Sequence, residues 1–73
     1  MGGTNMFQYI DALKLTYEAQ IATAKANISL YMENAVGVAE HPDIIKAIDS
    51  LISDLAQAQE KLDTINYLEE SYE

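Results

Sequence analysis

Residues 5–36 read NMFQYIDALKLTYEAQIATAKANISLYMENAV. Wound at 100° per residue, this stretch is apolar on two opposite sides. The main stripe is Met6, Ile10, Leu13, Tyr17, Ile21, Ala24, Ile28, Tyr31 and Ala35. Its steps of three and four average about 3.6, the period of a nearly straight α-helix rather than of a strict heptad. A second stripe, Leu15, Ala19, Ala22, Ala26 and Leu30, lies on roughly the opposite side of the wheel. Its small residues allow a neighbouring helix to approach closely. Asp11, Lys14, Glu18 and Lys25 hold mainly one edge between the stripes, while Thr16, Gln20, Thr23, Asn27 and Asn34 make the other edge neutral. So little charged surface suits a helix central to an assembly, and the second stripe is the expected interface.

The punctuation of the chain sets where this helix begins and ends. Residues 1–4 read as a flexible lead. Asn5 fits an N-cap, with Gln8 three residues on to complete a capping box. Gly37 fits the left-handed position after the helix, and Val38 could fold back on Met32. Residues 37–41 form the turn, His41 caps a second helix, and Pro42 takes its first position, where a missing N–H costs nothing. Asp43 in the first turn complements the helix dipole.

From Pro42 to about Glu70, the residues Ile44, Ile48, Leu51, Leu55, Ala58, Leu62 and Ile65 keep a 4-3 heptad of the coiled-coil kind. Ile45 and Ile52 widen this stripe near the turn, and the back is polar, with Asp49, Ser53, Glu60, Asp63 and Glu70. The second helix is therefore expected to be an outer one. A short connection between two helices of about 45 Å makes them antiparallel neighbours. The expected fold is all-α: one antiparallel two-helix hairpin spanning residues 1–73, pairing with a second copy through helix 1 into a twofold four-helix bundle.

Composition narrows the function classes. A chain of 73 residues makes one small domain at most, and a core of that size needs disulfides, a metal or oligomerisation. Cysteine is absent and His41 is the single imidazole, so oligomerisation is the remedy left. A homodimer or other homo-oligomer is expected, with an unidentified protein as the other candidate partner.

The net charge is −8, from twelve acids against four lysines and no arginine. That disfavours nucleic acid and anionic membrane surfaces, both of which need a basic footprint. The imbalance sits in residues 38–73, with nine acids and two lysines, whereas residues 1–37 carry three acids and two lysines. No apolar run is long enough to span a bilayer, no leader signature is seen, and a cytoplasmic location is expected.

Candidate chemistry is sparse. Glu69, Glu70 and Glu73 could hold a cation weakly, but a di-iron bundle needs inward glutamates and a Glu-x-x-His pair, which His41 does not supply. No nucleophile is placed for His41, and no glycine-rich phosphate loop is present. The expectation is no catalytic residue, no metal and no cofactor. The five tyrosines divide: Tyr17 and Tyr31 belong to the main stripe, while Tyr9, Tyr67 and Tyr72 gather at the end of the hairpin where both termini lie. Tyr67, Glu69, Glu70 and Tyr72 form the candidate partner surface there.

Two resemblances bear on function. The segment Gln59-Glu60-Lys61-Leu62-Asp63-Thr64-Ile65-Asn66-Tyr67 resembles the signature helix of the small sporulation-type aspartyl-phosphate phosphatases, which are also short acidic hairpins. That likeness implies an activity carried by Asp63, although Lys61 interrupts the family's Ser-Gln-Glu-Leu-Asp motif and Ala58 stands in place of its Ser. In overall style, tyrosine-rich and arginine-free, the chain looks like the short helical-hairpin proteins of unknown function found in marine phages. The turn lacks the Trp-x-Gly of secreted hairpins of the WXG type. The leading expectation is a non-enzymatic structural or interaction module acting as a homo-oligomeric bundle. The alternatives are an acidic inhibitor occupying a basic nucleic-acid-binding protein surface, and the phosphatase-like hairpin.

Overall fold

A computed structural model describes residues 6–33 and 42–72. They form two helices, α1 (Met6–Glu33) and α2 (Pro42–Ser71), packed antiparallel as a hairpin. Pro42 is the first residue of α2, and Asp43 stands in its first turn. Asn5, Gly37, Val38 and His41, on which the remaining capping expectations rest, lie outside the described residues, as do Asn34 and Ala35.

Helix-disfavouring hydroxyls are accommodated inside both helices by bonds to the preceding turn. Thr16 Oγ1 donates to the Ala12 carbonyl at 2.9 Å, Thr64 Oγ1 to Glu60 at 2.8 Å and Ser71 Oγ to Tyr67 at 3.0 Å. Each satisfies its own polar group without taking a ladder donor away. At the end of α2, the Tyr72 N–H donates to the Leu68 carbonyl at 3.1 Å.

The main stripe of α1 faces α2, as its period implies. Ala24 (4% exposed) and Ala58 (2%) are almost fully buried, and side chains this small let the two helices pack closely there. Ile65 completes the buried apolar set among the described residues. Ile10, Tyr17, Ile21, Ile28 and Tyr31 of α1, and Ile44, Ile48, Leu51, Leu55 and Leu62 of α2, are half-buried along the same seam.

Three apolar residues depart from the expected seam. Leu13 is exposed although it lies on the main stripe. The next heptad place of α2 after Ile65 falls on Glu69, which reaches for Lys14, so this end of the seam holds a carboxylate instead of an apolar side chain. Ile45 (65% exposed) and Ile52 (52%) also stay uncovered. A single neighbouring helix covers about a third of a helix's circumference, and these two lie too far round α2 to reach α1.

The hairpin is long and thin, 58 × 23 × 16 Å, with a radius of gyration of 16.9 Å against about 11 Å for a compact chain of this length. It exposes 5683 Å², about 1,200 Å² more than a compact monomer of its mass would.

Candidate interaction surface

The outer face of α1 is built by spacing alone. Leu15, Ala19, Ala22, Ala26 and Leu30 follow each other by three or four residues, which keeps their side chains on one side of an α-helix. That side points away from Ala24 and hence away from α2. All five are exposed, with Leu15 at 67% and Leu30 at 58%. Glu18 and Lys25, seven residues apart, border the face on one edge, and Thr16 and Thr23 border it on the other. The five residues of the expected interface thus share one face of α1, and each is exposed.

A second surface was missed by the sequence reading. Ile45 and Ile52 lie together on α2, again seven residues apart, and Met32 at the same end of α1 is exposed too. Asp49 and Asp63 are exposed on the same outer side of α2. The seven-residue spacing was legible as a widening of the seam; the available signal was that the stripe had become wider than one neighbour can cover.

Of the other expected surface, Tyr67 and Glu70 are exposed three residues apart on one side of α2, and Tyr72, just past its last residue, is exposed as well. Glu69 turns to α1, where its Oε1 accepts a hydrogen bond from Lys14 Nζ at 3.1 Å, a half-exposed ion pair that ties the free ends of the two helices. That hydrogen bond first, and the Glu69 charge second, raise the Lys14 pKa above its ordinary 10.5, against a small opposing effect of burial.

A raised lysine pKa stabilises the fold below the unfolded value of 10.5, and the contribution is lost as pH rises through the higher folded value. The wild-type chain is therefore expected to melt above Lys14→Met at neutral pH, and the gap should close as pH passes beyond 10.5. Melting curves of both proteins across an alkaline series check this. A gap that persists after the lysine has lost its proton would assign it to the packing of the Lys14 stem instead.

Between the helices an open groove of about 640 Å³ runs over Ala24 and Ala58. Its walls are the neutral edge of α1, with Gln20, Thr23 and Asn27, and Asp54, Gln57 and Lys61 of α2. Lys61 Nζ stands 5.5 Å from the centre of the Tyr17 ring, within the range of a cation–π contact. Nothing in this wall pairs a nucleophile with a base. Asp63, the residue singled out by the phosphatase resemblance, is exposed on α2 and accepts a long 3.4 Å bond from Gln59 Nε2. Among the described residues, no three His, Cys, Asp or Glu gather as a metal set, and no helix is long and apolar enough to cross a membrane. Glu73 and His41 lie outside the described residues.

No family model matches this chain, and no curated protein or solved structure matches it either.

Proposed function

We propose that the chain is a non-enzymatic interaction module that associates with a second copy through the outer face of α1. The observation that carries this is the uncovered apolar face around Leu15, set opposite the face that α2 covers. With three buried side chains among the described residues, the hairpin gains little from its own core, and burying a second face supplies what a small domain without cysteine lacks. Light scattering over a dilution series tests it. A mass of two chains that persists on dilution is the expected result, and a monomer throughout removes the reading.

A second reading is favoured by the exposed Ile45 and Ile52 beside Asp49 and Asp63. It makes α2 an acidic inhibitor that occupies a basic, nucleic-acid-binding protein surface. The same scattering series, repeated with polylysine as probe, tests it. Complexes that form at low salt and disperse at high salt support the electrostatic part of this reading, and an unchanged mass at both removes it.

A further inference from the structure

Four of the five residues of the outer face of α1 are placed symmetrically about one point. Counted from the peptide between Ala22 and Thr23, Leu15 and Leu30 lie equally far out, and so do Ala19 and Ala26. We propose that the second copy docks antiparallel on this face, about a twofold axis beside Ala22. Each Leu15 then meets the partner's Leu30, and each Ala19 meets the partner's Ala26. The inference rests on the self-association proposed above and specifies its orientation and register.

Three observations commit the face to a second copy in this orientation. First, a twofold interface must be complementary to itself, and this spacing lets antiparallel docking set leucine against leucine and alanine against alanine in one register.

Second, the bordering charges match. Antiparallel docking keeps the Glu18–Lys25 edge of both protomers on the same side of the interface. Glu18 then lies within about 3 Å of helix rise of the partner's Lys25, and the contact is made twice. Parallel docking sets that edge against the partner's uncharged edge and leaves all four charges unmatched.

Third, the distribution of net charge agrees. Pairing through α1 places the acidic halves, net −7 each, on the two outer sides of the assembly. Three helix spacings then separate the two α2 helices by about 25–30 Å, well beyond the Debye length of about 8 Å at physiological salt. The result is a flat layer ordered α2, α1, α1, α2.

Engineered cysteines test the register, because the chain has none of its own. Ala19, Ala22 and Ala26 are exposed in the hairpin, so each can carry a thiol without disturbing it. On mild oxidation, Ala22→Cys is expected to form a disulfide-linked dimer. Ala19→Cys and Ala26→Cys should each stay unlinked alone, since their own copies lie about seven residues, or 10 Å, apart along the axis. Mixed, those two should link to each other. Linkage of all three variants to themselves would mean parallel docking and overturn the proposal. A dimer by light scattering in which neither Ala22→Cys nor the mixture links overturns the register while leaving self-association intact. A monomer removes the self-association itself.

Discussion

Ala22→Glu is expected to convert the dimer to monomer and to raise Kd by about a thousandfold or more. In the hairpin the Ala22 side chain is exposed, so the added carboxylate costs the monomer little. In the antiparallel dimer two such carboxylates meet at the twofold axis, out of water and beside the Glu18 charges of both protomers. Like charges forced together at an interface cost several kcal/mol, and about 4 kcal/mol corresponds to that thousandfold. Dissociation should also be visible in stability, because an associating chain melts at a temperature that rises with its concentration. The wild type should show that rise, and Ala22→Glu should lose it. Ser53→Glu, which adds the same charge on the exposed back of α2, is the control and should keep both the mass and the concentration dependence. An Ala22→Glu protein that remains a dimer would place the interface elsewhere.

Ile65→Ala should be the most damaging truncation within the hairpin. Among the described residues, Ile65 is the large side chain that joins Ala24 and Ala58 in the buried set. Removing three carbons from a closed site loses their transfer energy and leaves a cavity, together about 2–4 kcal/mol. For a domain of this size each kcal/mol moves the melting temperature by roughly 4–8 °C, so a fall on the order of 10–25 °C is expected. Leu13→Ala removes a similar volume from a position that is already exposed and should shift melting far less. Circular dichroism melts of both variants at one fixed chain concentration separate the cases. Equal shifts would mean that Ile65 is no better packed than Leu13.

How much of this was legible beforehand follows from the range of each physical cause. Helix formation and face assignment are local. The 3.6 period of Ile10, Tyr17, Ile21, Ala24 and Ile28 states which side of α1 must be covered, and Pro42 states where α2 can start. The opposite placement of Leu15, Ala19, Ala22 and Ala26 is local in the same sense, and all of them are exposed as the wheel implied. Even the inward turn of Glu69 had a local signal, since it occupies the next heptad place after Ile65.

Coverage is different, because it depends on where the other helix lies. Ala24 and Ala58 are buried against the opposite helix, and the antiparallel register decides which other residues fall under cover. That is why Leu13 on the main stripe stays exposed, why Ile45 and Ile52 form a surface rather than a wider seam, and why Glu69 pairs with Lys14, 55 positions away. Periodicity along one strand of sequence carries the direction in which a side chain points. Whether anything stands in that direction is a property of two helices brought together, and the packing of one against the other settled it.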